Sequence, residues 1–247
     1  MKDQVAVITG ASRGIGRSIA EAFANEGANV IINYNTNETR ASEVAKGIEK
    51  NGGHAICVKG DVSLVGDVKR LVSTTLDKFG RIDILVNNAG VMFPEDFLAA
   101  SEQVWDDTID INLKGAYLCS KEVAPIMIKQ KKGKIINISS NSGLYHPSSM
   151  RYVEYVTSKA GMNGMTKALA LRLGPYVTVN AICPGYIKTE MVAHNDPATE
   201  KMLLDETALK RFGRPNDVAS AAVFLASDEA NFITGELLIV AGGRGMH

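Results

Sequence analysis

Tyr155 and Lys159 stand four residues apart in Tyr155-Val156-Thr157-Ser158-Lys159, a spacing that puts a phenol and an ammonium on one face of a helix. A phenol titrates near pH 10, so acting as a half-ionised base at pH 7 would take a shift of about three units, roughly 4 kcal/mol. A neighbouring cation supplies about one to three units, which makes Lys159 the group expected to lower Tyr155. As a proton donor the phenol needs no shift, so the pair is better suited to protonating a carbonyl oxygen than to deprotonating a hydroxyl. Tyr152 has Val156 at the same spacing and lacks such a partner. Tyrosine and lysine at this spacing are common on surface helices, so the pair gains meaning only from its surroundings. The nearest are the hydroxyls of Ile138-Ser139-Ser140-Asn141-Ser142-Gly143, which close a β-branched run upstream.

A second chemical feature lies near the N-terminus. Thr9-Gly10-Ala11-Ser12-Arg13-Gly14-Ile15-Gly16 follows one β-branched run and opens a helical pattern. Glycine removes the Cβ that would block close approach of an anion, and the first N–H groups of a helix present a partial positive charge to it. The turn therefore fits a dinucleotide's pyrophosphate, although glycine triplets also occur in ordinary turns.

The elements that must position these groups alternate along the chain. Short apolar runs at 5–8, 30–32, 55–58, 84–86, 135–138, 177–181 and 237–240 read as strands buried on both faces. Between them, 16–25, 39–51, 66–79, 105–130, 158–173 and 217–227 carry helical periodicity. Alternation of this kind predicts a doubly wound α/β fold, a seven-stranded parallel sheet with helices on both faces. Ligands of such sheets bind beyond the carboxyl ends of the strands. The chemistry-bearing residues follow the strand runs, as that rule requires. No linker or repeat divides residues 1–247, which read as one Rossmann-type domain; residues 188–214 lack a strand pattern and read as a substrate lid.

Composition narrows the classes of partner. Basic and acidic residues number 27 each, so there is no global field aimed at nucleic acid or an anionic membrane. The basic run Lys129-Gln130-Lys131-Lys132-Gly133-Lys134 reads as a solvated loop. Cys57, Cys119 and Cys183 sit apart in apolar stretches, which suits reduced, buried thiols rather than disulfides or a metal site. With no signal peptide pattern and no apolar run near membrane-spanning length, the expected compartment is the cytoplasm.

Thr9–Gly16 in T-G-x-x-x-G-x-G form, Asn87-Asn88-Ala89-Gly90, Ile138-Ser139-Ser140 and Tyr155-x-x-x-Lys159 together resemble the signatures of the short-chain dehydrogenase/reductase family. Pro184-Gly185-Tyr186-Ile187-Lys188-Thr189, Arg211-Phe212-Gly213-Arg214-Pro215 and Ile233-Thr234-Gly235 extend the resemblance over essentially the whole chain. It implies an oxidoreductase that reduces a ketone to a secondary alcohol, with Asn112, Ser140, Tyr155 and Lys159 as the catalytic set. In the family the asparagine links the lysine through water to a proton relay, the serine binds the reacting oxygen, and the lysine also holds the nicotinamide ribose.

The resemblance further places the cofactor against Gly10, Ser12, Arg13, Gly14, Ile15 and Gly16, then Asn33, Tyr34 and Asn35, then Asp61 and Val62 at the adenine. Asn88, Ala89 and Gly90, Tyr155 and Lys159, and Pro184, Gly185, Ile187 and Thr189 complete the implied set. NAD-preferring members carry an acid near position 34, where this chain has Asn33-Tyr34-Asn35, and Arg13 matches the basic residue of NADP-preferring members, so NADP(H) is the expected cofactor.

One ambiguity concerns the serine. Most members have twelve residues between serine and tyrosine, whereas fourteen separate Ser140 from Tyr155 and Ser142 has the usual spacing. Ser140 is favoured because a strand end is fixed more firmly than a loop. The loop at 143–153, with Tyr145, His146, Pro147, Met150, Arg151 and Tyr152, is expected to face the substrate.

Within the family the chain looks most like 3-oxoacyl-[acyl-carrier-protein] reductases, which implies an acyl carrier protein as a candidate partner and a homotetramer. Two departures bear on this. Their usual basic residue before strand six falls within Gly174-Pro175-Tyr176, a segment shortened by one residue, which counts against a carrier; Lys131-Lys132, read above as solvated, resembles the other basic contact and would supply only part of a dock. Val240-Ala241-Gly242-Gly243 lacks the acid that relatives carry before the glycine pair. A small ketone, a sugar or a steroid is the alternative substrate, and an NADP(H)-binding sensor the alternative of another class.

Overall fold

Seven apolar runs become seven strands of one sheet, the central ones buried on both faces and the two edge strands only in part. The computed structural model describes residues 1–144, 152–192 and 197–245. Among these, β1 (Val5–Ile8), β2 (Asn29–Tyr34), β3 (His54–Lys59), β4 (Ile84–Asn87), β5 (Gly133–Ile138), β6 (Val177–Pro184) and β7 (Leu237–Val240) form a parallel sheet in the order β3-β2-β1-β4-β5-β6-β7. Every pairing is parallel, with register such as Val7↔Ile31 and Val7↔Leu85 on either side of β1.

The two-residue period of a strand divides the core into two layers. On one face Ala6, Ile8, Val30, Ile32, Ile136 and Ile138 pack under α1 (Gly14–Asn25), α2 (Glu38–Lys50) and α8 (Pro215–Ala226), where Phe23, Val44 and Leu225 are buried. On the other face Val5, Val7, Ile31, Leu85, Ile135 and Val179 pack under α3 (Val65–Phe79), α5 (Gly115–Gln130) and α6 (Val153–Leu173). Strand order reverses between β1 and β4, so the crevice between their carboxyl ends is where a doubly wound sheet admits a ligand. The glycine turn follows β1 and Asn88-Ala89-Gly90 follows β4, placing both at that crevice.

Several sequence expectations change in detail. The helix read over 105–130 starts earlier and is interrupted: α4 (Glu102–Ile109), capped by the Ser101 side chain on the Val104 N–H, passes through a π turn at Asp110–Lys114 into α5. Helix α6 starts at Val153, so Tyr155 belongs to its first turn. Over 188–214 the chain holds a 3₁₀ turn at Glu190–Val192, the helix α7 (Pro197–Asp205) and a bridge from Ile187 to Gly213. The basic run is not a solvated loop throughout: Lys134 lies on β5, 3% exposed, and donates to Asn231 Oδ1 at 2.8 Å. Its neighbour Lys132 pairs with Asp228 at 3.0 Å. Cys119 and Cys183 are buried free thiols, whereas Cys57 is half-buried.

Candidate active site and dinucleotide cradle

Helix α6 brings Tyr155 and Lys159 to the end of β5. The Ser140 hydroxyl is hydrogen-bonded to the Tyr155 phenol, and Lys159 Nζ lies 5.6 Å from the centre of the Tyr155 ring. Lys159 is 4% exposed and donates to Ile138 O at 2.8 Å. Burial pulls its ammonium down to about 8.

Tyr155 moves the other way from the expectation. Burial raises its pKa, the Ser140 hydrogen bond offsets part of that rise, and the nearby Tyr186 adds to it. Removal of the phenolate from water therefore dominates.

The two serines separate cleanly. Ser140 is the one bonded to Tyr155, and its Oγ also accepts from Ser142 N at 3.1 Å, the first bond of the 3₁₀ turn Asn141–Gly143. That turn lies directly on α6: a Cβ on Gly143 would sit 2.6 Å from the Lys159 carbonyl carbon. Asn163, one helical turn after Lys159, fixes the arrangement. Its Nδ2 donates to Gly143 O at 2.9 Å and its Oδ1 accepts from Ser139 Oγ at 2.6 Å. The sequence reading missed Asn163, although its place four residues beyond Lys159 on the same helical face was a signal for it. Cys183 also lies against it, 3.8 Å from Sγ to Asn163 Oδ1, as a buried thiol pushed up to about 11.

Asn112 is fully buried in the π turn and acts as a staple. It accepts from Val91 N at 2.7 Å and donates to Val91 O at 2.9 Å and Ser158 Oγ at 3.1 Å. Ser158 in turn donates to Tyr155 O at 2.7 Å. The loop after β4 is thereby tied to the first turn of α6. Gly90 leaves the space between: a Cβ there would come within 3.2 Å of Asn112 Oδ1 and 3.7 Å of Lys159 Nζ.

The glycine turn is built for close approach. Gly10 and Gly14 have φ of +62° and +56°, the left-handed region that strains a residue with a side chain. A Cβ on Gly10 would lie 2.9 Å from Ala89 Cα, and one on Gly16 would lie 2.7 Å from Gly10 O. Thr9 Oγ1 accepts from Asn88 N and Ala89 N, and Asn88 Nδ2 donates to the carbonyls of Thr9 and Gly10. The ends of β1 and β4 thus form one rigid cradle. Ser12 and Ile15 are half-buried on its wall, and the methyl of Thr189 would lie 3.6 Å from a Cβ on Gly14. Gly185 is required where β6 meets β7, since a Cβ would come 2.9 Å from Ala241 Cα.

Not every implied cofactor residue turns its side chain to the crevice. Asn33 is 2% exposed and faces inward, donating to Gly60 O and Val58 O and accepting from Gly10 N. Tyr34, Val62, Pro184 and Ile187 have buried side chains. Asn35 is exposed and donates to Asp61 Oδ2 at 3.0 Å. Arg13 projects from the cradle and pairs with Glu190 at 2.9 Å, as does Arg40, which the sequence reading did not single out. Tyr145, His146, Pro147, Met150 and Arg151, expected at the substrate, lie outside the described residues; Tyr152 precedes α6.

Comparison with known proteins identifies the family. Residues 10–245 match the family model described as enoyl-(acyl carrier protein) reductase. The 3-oxoacyl-[acyl-carrier-protein] reductase of Staphylococcus epidermidis is 40% identical over 243 residues, covering 98% of each chain. The chain belongs to the short-chain dehydrogenase/reductase family. The 3-oxoacyl-[acyl-carrier-protein] reductase of Synechocystis is 43% identical over 245 residues, covering 98% of this chain and 97% of the relative. Among solved structures, a short-chain alcohol dehydrogenase of Sinorhizobium meliloti superposes with a TM-score of 0.93 at 37% identity, covering 99% of this chain and 97% of that one. A gluconate dehydrogenase of Agrobacterium tumefaciens superposes at 0.94 with 32% identity, covering 100% and 97%. The protein is therefore an oxidoreductase of this family, whose members work with a nicotinamide cofactor. The cradle fits that group, since its glycines keep open the space a pyrophosphate needs.

Proposed function

We propose that the protein is an NADP(H)-dependent ketone reductase whose substrates are 3-oxoacyl thioesters carried on acyl carrier protein or coenzyme A. The observation that carries the reading is the hydrogen bond between Ser140 and Tyr155 above the buried Lys159, at the strand end beside the glycine cradle. The thioester class is supported by the likeness to the two 3-oxoacyl reductases.

A dihydronicotinamide cofactor held in the glycine cradle at Gly10, Gly14 and Gly16 would supply hydride to the carbonyl carbon. Everything else is work for the chain's own groups. Tyr155, held protonated by its surroundings, donates its proton to the carbonyl oxygen. Ser140 hydrogen-bonds the same oxygen as negative charge develops on it. Lys159, fixed by Ile138 O, holds positive charge behind the phenol as its proton leaves. Asn112 keeps the loop after β4 and the first turn of α6 in register, and Asn163 keeps the serine turn in place. Arg13 holds the 2′-phosphate, the group that distinguishes NADPH from NADH.

The test is NADPH oxidation measured with acetoacetyl thioesters of coenzyme A and of acyl carrier protein, beside small ketones, sugars and steroids. Turnover is expected to be fastest with the thioesters. Faster turnover of a sugar or steroid would replace the substrate class, and NADPH binding with no turnover on any of them would overturn the catalytic reading.

A further inference from the structure

Two arginines from different elements converge on one carboxylate. Arg13 precedes α1 and Arg40 lies in the first turns of α2. Arg13 Nη1 is 2.9 Å from Glu190 Oε2, and Arg40 Nη1 donates to both Glu190 oxygens at 2.8 Å. All three side chains are about half exposed, at 64%, 41% and 56% for Arg13, Arg40 and Glu190. Two guanidiniums brought this close in solvent repel each other unless an anion lies between them. Glu190 fills that place, and the two arginines hold its carboxyl below the usual carboxylate range.

The position of this clamp is as telling as its charge. It opens beside the cradle, because Arg13 belongs to the glycine turn and Thr189, the residue before Glu190, lies against Gly14. The end of β2 brings no competing acid: Tyr34 and Asn35 are uncharged, and Asn35 holds Asp61 aside through its own hydrogen bond. A carboxylate has two oxygens and one negative charge. A phosphate monoester offers three oxygens and close to two charges, so it satisfies both guanidiniums more fully.

We propose that Arg40 is a second ligand of the cofactor's 2′-phosphate, and that Glu190 is an internal carboxylate which that phosphate displaces from the Arg13–Arg40 clamp. The proposal rests on the NADP(H) reading and extends it to a residue beyond the glycine turn. Glu190 opens the 3₁₀ turn Glu190–Val192, so its release undoes the ion pairs that tie this turn to Arg13 and Arg40. Exposed ion pairs are weak, so displacing Glu190 costs little.

The test is equilibrium binding of NADPH, NADH and 2′,5′-ADP to the unreacted protein, followed by fluorescence and calorimetry, with no turnover involved. Arg40→Ala is expected to weaken NADPH and 2′,5′-ADP about tenfold, the scale of one charge-assisted hydrogen bond, and to leave NADH within about twofold. Glu190→Gln is expected to tighten NADPH and 2′,5′-ADP by about threefold, again without effect on NADH, since it removes a charged competitor. Arg40 is exposed, and matched melting temperatures would establish that the variant is folded. If Arg13→Ala discriminates between the cofactors while Arg40→Ala weakens both or neither, the second-ligand proposal is overturned and the NADP(H) reading stands. If the wild type binds NADPH no better than NADH, the NADP(H) reading itself fails.

Discussion

At the scale of single residues, the opposite shifts of Tyr155 and Lys159 set the direction of the chemistry. Both come from burial, which disfavours whichever form is charged. The raised phenol stays protonated through neutral pH and is ready to donate. Reduction rates should then hold steady near pH 7 and fall along a limb near pH 8, where Lys159 loses its charge, while oxidation of the product alcohol should rise with pH as the phenol ionises. A pH–rate profile in both directions checks this. Tyr155→Phe should lower turnover by at least about a thousandfold while leaving NADPH affinity within about twofold, measured by titration. Because Lys159 titrates near 8 in the folded chain and at 10.5 when unfolded, the unfolded state binds more protons between those values, so this group's contribution to stability rises with pH there. Below pH 8 the burial penalty is fully present. Lys159→Met removes it, and its stability relative to wild type should improve by roughly 2 kcal/mol on going from about pH 9.5 to 7, read from denaturant melts at each pH.

At the scale of elements, the site depends on contacts between segments distant in sequence, among them Thr9 with Asn88, Asn112 with Val91, and Asn163 with Gly143. Asn163→Ala would leave the Gly143 carbonyl without its donor and take from the Ser139 hydroxyl one of its two acceptors, destabilising the fold by about 1–3 kcal/mol. Because Ser140 opens the same turn, kcat should drop about tenfold or more with NADPH affinity unchanged. An equal loss in both would mean that Asn163 serves the cofactor site instead. These contacts also explain what could be read from the sequence. The strands were legible because residues such as Val5–Ile8 and Ile84–Asn87 are buried on both faces and announce it in composition. The turn after β1 was legible because only glycine tolerates its backbone. The π turn was not, since Asp110–Lys114 continues the polarity of the surrounding helix. The burial of Lys134 was not legible either, because it depends on Asn231 across the fold. The upward shift of Tyr155 was missed for a related reason: spacing shows that Lys159 is near but not how dry the phenol is.

At the scale of the whole molecule, two of the exposed apolar patches among the described residues bear on assembly. The sheet ends in β7, whose residues are half-buried along its length, with Leu171 on α6, Phe224 on α8 and Phe232 just before the strand exposed at 89%, 42% and 104%. On a separate surface, Trp105 of α4 and Tyr117 of α5 are exposed at 41% and 46%. An edge strand flanked by exposed aromatic and aliphatic side chains is a template for pairing, and proteins that keep one generally cover it. An edge strand on one surface and exposed aromatic side chains on another suit two different two-fold interfaces, and two perpendicular two-folds build a tetramer. The expected assembly is a homotetramer, with a solution mass about four times the 26.5 kDa of the chain. Light scattering after size exclusion measures that mass directly. Phe224→Glu combined with Phe232→Glu should leave a dimer held by the α4–α5 surface, with the monomer fold intact by circular dichroism. A wild type that runs as a monomer at micromolar concentration would show instead that both faces are simply wet.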